Sequence, residues 1–526
     1  MDLVLRGARI ADGTGAALFR ADVGIDGGRI ADIGDGVTGT RVIDADGLVL
    51  APGFVDMHAH SDLQLLADPG HLAKVSQGVT TEVLGQDGLS YAPADDTTLA
   101  ALREQLAGWN DDPPGFDWDW RSVGEYLDRL DRGVAVNAAY LVPQGTVRML
   151  AVGFDARPAT ESEVDRMREL VATGLDEGAV GMSSGLTYTP GMYADDDELV
   201  ALCEVVGARG GYYSPHHRSY GAGALDAFAE MVEVCRRARC PLHLAHATMN
   251  FSVNRGRAPD LLRLLDSALD EGMDITLDTY PYLPGATYLS ALLPSWAAEG
   301  GVAATLERLS DPDTRERMRV AIEETGSDGA HGVPIDWESI EINGVRRAEN
   351  AHLVGLSVAE SARRAGVPAA QLYFDVLVSE RLGTSCLMHV GHEENVRAIM
   401  RHRTHTAGSD GLLVGDRPHP RAWGTFPRYL GRYVRELGVL DLADCVAHLT
   451  GRPAKRLRLT DRGLVRPGYA ADLVLFDPAT VADTATFDEP RQQAAGIPYV
   501  FVNGVAAIDD GRPTGALAGH SLRRSA

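Results

Sequence analysis

The chain has 526 residues, 45% hydrophobic and 23% charged, enough for a large core and more than one domain. Its formal net charge of −25 lacks the basic stripe that a phosphate backbone demands, so nucleic acid is not an expected partner and the acidity reads as solubility. No window approaches the roughly 18 consecutive apolar residues of a membrane span, MDLVLRGARIADG has no leader pattern, and five cysteines form no CxxC pair, so the expectation is a cytoplasmic enzyme with reduced thiols.

The first fifty residues read as short strands, LVLRGARI, ADVGIDGGRIADIG and RVIDADGLVL, broken by Gly and Asp. After Pro52-Gly53 the pattern changes. GFVDMHAH is a buried strand candidate, TTEVL another. Helical ESEVDRMRELVATGLDEG leads to AVGMSSG, DDELVALCEVVGARG to GYYSPHH, ALDAFAEMVEVCRRAR to PLHLAH, and APDLLRLLDSALDEG to DITLDTYPY. This alternation predicts an α/β fold, a distorted (β/α)8 TIM barrel over residues 52–450. A Gly- and Asp-rich interruption at about 297–347 reads as an insertion beside the barrel mouth. Strand texture returns in GLVRPGYAADLVLFD and YVFVNGVAAIDDG, so residues 1–51 and 451–526 are expected to form one small β-sandwich domain from both termini, ending in a loose tail, GHSLRRSA.

His58 and His60 lie two apart at the end of the first barrel strand, so both imidazoles face one point at the C-terminal rim, where barrel enzymes keep their sites. His216 and His246 end two later strands. Each alone is as readily a hydrogen-bonded core histidine, but four at strand ends together point to a metal centre. His217 competes with His216, and spacing cannot choose between neighbours. Asp410 in HTAGSDG can ligate metal and take a proton from water; Asp87 in LGQDG can bridge two metals; either can instead be a turn aspartate before glycine. Ser183, Ser184 and Tyr188 in GMSSGLTYTP are expected at the mouth. His389, His392, His402 and His405 surround a helical EENVRAIMRH and read as surface or capping residues. No GxSxG elbow is present, which argues against a serine nucleophile.

The ordered set PGFVDMHAH, QGVTTEVLGQDG, GMSSGLTYTPG, SPHHR, LAHA, DTYPY, GSDG and HPRAWGTFPRYL resembles the N-acyl-D-amino-acid deacylase group of the metal-dependent amidohydrolase superfamily, over nearly the whole chain. The resemblance implies one or two zinc ions, or another divalent metal, with His58, His60 and Asp410 at one site and His216 and His246 at the other. It implies Asp410 as general acid/base, Arg421 as the partner of a substrate carboxylate, and Tyr280 or Tyr282 as its helper or as the group that polarises the scissile carbonyl. Two positions depart from the family. Asp87 stands where the family usually has a ligating cysteine, a harder oxygen for a soft sulfur, and Thr248 stands where it usually has a lysine.

The expected function is hydrolysis of a linear amide, most simply deacylation of an N-acyl-D-amino acid by metal-activated water with Asp410 shuttling the proton. A cyclic amidase of the hydantoinase or dihydroorotase kind is the first alternative; those enzymes carry a carboxylated lysine on the fourth strand, and AVGMSSGL has no lysine. A non-catalytic relative is the second, and the retained histidines speak against it. The partner is a small molecule; monomer and dimer both remain open.

Overall fold

A computed structural model describes residues 1–524 of the chain. Eight strands stand side by side in chain order: Phe54–Asp56, Val79–Leu84, Asn137–Pro143, Gly181–Gly185, Tyr212–His216, Leu242–Leu244, Ile275–Thr279 and His405–Ala407. Neighbours are parallel throughout. The eighth strand meets the first through single hydrogen bonds instead of a ladder: Met57 N–H donates to the Ala407 carbonyl at 3.1 Å and Asp410 N–H to the His58 carbonyl at 2.8 Å. This irregular seam is the distortion of the barrel, and it lies at the site.

The third strand, NAAYLVP, has all seven residues buried, so no alternation marked it in the sequence. The crossover helices have ordinary causes. Thr160 and Glu163 form a reciprocal capping box at the start of Glu161–Asp176, and Asp195 caps Asp196–Ala208 through the Glu198 N–H. Among the described residues no helix is long and apolar enough to cross a membrane.

Between the seventh and eighth strands the chain makes a longer excursion than the 297–347 expected. A four-stranded antiparallel sheet, in spatial order Gly285–Tyr288, Ser385–Met388, Ile340–Gly344 and Leu356–Ser357, carries its own core of Leu289, Leu309, Ile342, Tyr373 and Leu377. Its first two strands pair across some hundred residues of sequence, Gly285 opposite Met388, which no local pattern announces. The histidine run is also corrected. His405 is fully buried in the eighth strand, its ring between Thr279 Oγ1 at 2.8 Å and His448 Nδ1 at 2.9 Å.

Strands from both ends of the chain join in one nine-stranded sheet. Val49–Pro52 lies antiparallel to Leu473–Phe476, with Ala51 opposite Val474. Its core holds Leu5, Ile10 and Val23 from the first segment with Leu473 and Phe501 from the last. The segment from 451 opens with a helix, Gly451–Arg456, before this sheet resumes. The GHSLRRSA tail is docked as far as described: Gly519 bridges Val134, Ser521 bridges Ala138, and Arg523 pairs with Asp128 and Asp131. Ser525 and Ala526 lie outside the described residues.

Candidate metal centre and active site

The C-terminal ends of the barrel strands bring His58, His60, Asp87 and Asp410 into one buried group, and Asp87, His216 and His246 into a second. In the first, His58 Nε2 is 3.2 Å from His60 Nε2 and 3.5 Å from Asp87 Oδ1, and His60 Nε2 is 3.2 Å from Asp410 Oδ1. In the second, His216 Nδ1 is 3.1 Å from His246 Nε2 and 3.3 Å from Asp87 Oδ2, and His246 Nε2 is 3.4 Å from Asp87 Oδ1. Four donors held tetrahedrally at zinc's bond length of about 2.0–2.1 Å stand about 3.3 Å apart, so these edges fit a divalent cation. The donor chemistry, imidazole and carboxylate, fits as well. Asp87 belongs to both groups and its Oδ1 has no hydrogen-bond partner, as expected of a carboxylate that would bridge.

The surroundings orient each imidazole. His216 presents Nδ1 to Asp87 because its Nε2 is 2.7 Å from Thr187 Oγ1. His246 presents Nε2 because its Nδ1 is 2.9 Å from the Tyr220 hydroxyl. Such outer partners settle tautomer and ring angle. Asp278, fully buried at the end of the seventh strand, accepts from His246 N–H at 2.9 Å and lies 3.0 Å from His243 Nε2. Beneath the site, Asp56 accepts from His58 N–H at 3.2 Å and Ser409 N–H at 2.7 Å, tying the first and eighth strand ends together. Its charge is balanced by Lys74, whose Nζ is 2.6 Å from Asp56 and 2.8 Å from Glu82, all three buried. Asp87, His246 and Asp410 have φ of 54°, 29° and 49°, left-handed conformations held where donors must converge.

The electrostatics follow from crowding. Burial resists the Asp410 charge, but the Arg421 guanidinium, 3.0 Å away, and the contact with His60 keep its carboxyl below the usual range. Burial likewise opposes charge on His60, yet Asp410 and Asp87 hold its imidazole up at about 10. Both shifts describe donors that neutralise one another in the absence of a cation; a bound one would displace the proton.

These donors form the floor of a cavity holding about 720 Å³ of empty space, its mouth included, with Trp109, Tyr188, Thr248 and Tyr280 on its walls. Not every residue expected at the mouth is there. Ser184 turns away from the cavity, 2.5 Å from the Tyr213 hydroxyl in the helix-facing core. Its neighbour Ser183 faces inward and braces the Asp87 loop, accepting from Gly88 N–H at 3.0 Å. Tyr282 is also off the wall: its hydroxyl meets Asp483 at 3.3 Å and its ring carries Arg428. Of the two, Tyr280 lines the cavity. Its ring lies 4.4 Å from the Arg421 guanidinium, which is wholly buried behind it. His217 is set aside, packed 4.0 Å from the Phe228 ring. Sequence reasoning missed Thr187, Tyr220, Asp278 and His331, which sit in loops or act across strands.

A parallel (β/α)8 barrel with imidazoles and aspartates converging at its C-terminal mouth defines a metal-dependent hydrolase. The comparisons narrow this. The pattern of the amidohydrolase family matches residues 41–508. D-aminoacylase of Alcaligenes xylosoxydans xylosoxydans is 36% identical, over 100% of this chain and 98% of its own. N-acyl-D-glutamate deacylase of the same organism is also 36% identical, over 100% of this chain and 97% of its own. The solved N-acyl-D-glutamate deacylase of Bordetella bronchiseptica, complexed with zinc and a phosphonate mimic of the tetrahedral intermediate, superposes with a TM-score of 0.84 at 32% identity, covering 100% of both chains. The chain belongs to the amidohydrolase family.

Proposed function

We propose that this protein is a zinc-dependent amidohydrolase that removes the acyl group from an N-acyl-D-amino acid, releasing a carboxylate and a D-amino acid. The observation that carries the reading is Asp87, shared between two donor groups on the floor of the cavity. Full-length likeness to deacylases of D-amino acids supplies the substrate class.

His58, His60, Asp87 and Asp410 would hold one cation, and Asp87, His216 and His246 a second. A cation so held lowers the pKa of water and polarises a carbonyl. Asp410 is the proton carrier: its carboxylate faces the cavity, accepts a proton as water attacks the amide carbon, and returns it to the departing nitrogen. Arg421 holds Asp410 at 3.0 Å, and its guanidinium, buried behind Tyr280 with Nε and Nη1 unpartnered, would meet the substrate's α-carboxylate. Thr248 lines that approach without charge. Trp109, against the His60 ring at 4.9 Å, keeps bulk water from the donors. All five cysteines are free and buried, which suits a reducing compartment such as the cytoplasm.

The test is hydrolysis of N-acetyl-D- and N-acetyl-L-amino acids by zinc-loaded protein, read as released primary amine. Turnover of D-substrates that stops on chelation and returns with zinc is expected. Ring opening of hydantoins with no deacylation would replace this reading with the cyclic amidase.

A further inference from the structure

The cavity has two unlike faces. The barrel supplies the donors and carboxylates; the facing wall comes mostly from the insertion and is apolar, with Phe251, Leu292, Met388 and Val390. Among the described residues no lysine or arginine lines the cavity. Asn250, Thr287 and the ring of His331 interrupt its apolar surface.

His331 is deliberately held. Its backbone has φ of 57°, a left-handed conformation that a residue with a side chain adopts only where its surroundings impose it. Its N–H donates to the Asp328 carbonyl at 3.0 Å, and its own carbonyl accepts from Ala222 N–H at 3.0 Å and from the Ser219 hydroxyl at 3.3 Å. These bonds latch the insertion onto the loop that follows His216. The ring sits between Tyr220 at 5.6 Å and Phe251 at 5.5 Å, centre to centre, and Phe251 is itself held by the hydrogen bond from its N–H to the Val390 carbonyl at 2.8 Å. No side-chain hydrogen bond engages the ring: Nδ1 is enclosed and unpartnered, and Nε2 is the nitrogen left to the cavity. An imidazole without a partner, on the wall of a substrate cavity, is a group waiting for the substrate. Burial, and after it the nearness of His216, push the imidazole down to about 3, so the ring is neutral in working conditions.

We propose that His331 contacts the substrate and sets its specificity: its imidazole, in a largely apolar wall without a cation, gives the hydrogen bond that seats an N-acyl-D-amino acid whose side chain carries no charge, and the wall refuses a side-chain carboxylate. This rests on the deacylase reading above and deepens it. The refusal has a simple cause. Arg421, behind Tyr280, is paired with Asp410 and assigned above to the α-carboxylate. A second carboxylate would lose its water against Phe251, Leu292 and Met388 with nothing of opposite charge to meet.

The first experiment needs no variant. Zinc-loaded protein is given N-acetyl-D-leucine, -methionine, -glutamate and -aspartate, and kcat/KM is compared. The uncharged substrates are expected to lead by about 100-fold or more, the scale on which an unmatched polar group is rejected. Equal or better use of the acidic ones overturns the proposal. Calorimetric binding of N-acetyl-D-leucine and N-acetyl-D-glutamate separates the two readings. Tighter binding of the leucine compound without hydrolysis of any D-substrate would end the deacylase reading and leave the uncharged subsite standing. The role of His331 is read from two variants. His331→Ala is expected to raise KM for N-acetyl-D-leucine about tenfold, one hydrogen bond's worth, with kcat nearly kept. His331→Asn, which tolerates the same backbone and keeps a donor and an acceptor, is expected to restore most of it. An unchanged KM in His331→Ala, or a fall in kcat and thermal stability that Asn does not rescue, makes His331 a structural latch only and overturns its part.

Discussion

The Tyr220 hydroxyl stands 2.9 Å from His246 Nδ1, and this contact turns the opposite ring nitrogen toward Asp87. Tyr220→Phe removes the contact while keeping the ring. The expected result is a zinc affinity lower by about 10- to 100-fold, measured by competition with a chelator, and a near-normal kcat once zinc is saturating. Thr187→Val should act the same way through His216. Unchanged affinity in both would mean the imidazoles are oriented by packing alone.

Asp410→Asn keeps the shape and removes the proton acceptor. Turnover is expected to fall by at least about 1,000-fold, with most of the bound zinc retained because five donor residues besides Asp410 remain. Rate and metal content are measured on the same preparation. A variant that loses its zinc would make Asp410 chiefly a ligand, and one that works normally would remove it from the proton path.

Thr248→Lys adds a cation to the cavity wall. KM for N-acyl-D-amino acids with a free α-carboxylate is expected to fall several-fold, while the corresponding amides are unaffected. An equal effect on both compounds would place the α-carboxylate elsewhere.

Glu82 links stability to pH. Burial alone would raise its carboxyl, but the charges of Lys74 and His71 hold it down at about 2. The folded value lies below the unfolded one, so this group's stabilisation is complete above about pH 4.5 and is lost as pH falls toward about 2. The amount is on the order of 3 kcal/mol. Thermal melts from pH 7 to pH 3 should show a steep acid limb that is shallower in Glu82→Gln. Parallel curves would mean another carboxylate governs acid unfolding.

What could be read from the sequence was what local patterning carries. Strand–helix alternation announced the barrel, and the His58/His60 spacing placed two imidazoles on one face. Asp87 and Asp410, expected as site residues, lie within the two donor groups. Non-local features escaped. The antiparallel sheet of the insertion forms by pairing Gly285–Tyr288 with Ser385–Met388, and nothing in either segment names the other. Ser184 and Ser183 face opposite sides of one strand, and only the register with Tyr212–His216 tells which faces inward. Tyr220, Thr187 and His331 reach the site from loops, where neither period nor motif marks them.

The sheet that joins the two ends of the chain has a bearing on biosynthesis. Residues 49–52 leave the ribosome early, yet the strand they pair with, Leu473–Phe476, is made more than four hundred residues later. Throughout that interval an apolar strand edge lies open, an invitation to self-association that grows with expression rate. Slow translation or a holding chaperone should therefore govern soluble yield, and cutting away residues 473–526 should cost the nascent first segment its partner as well.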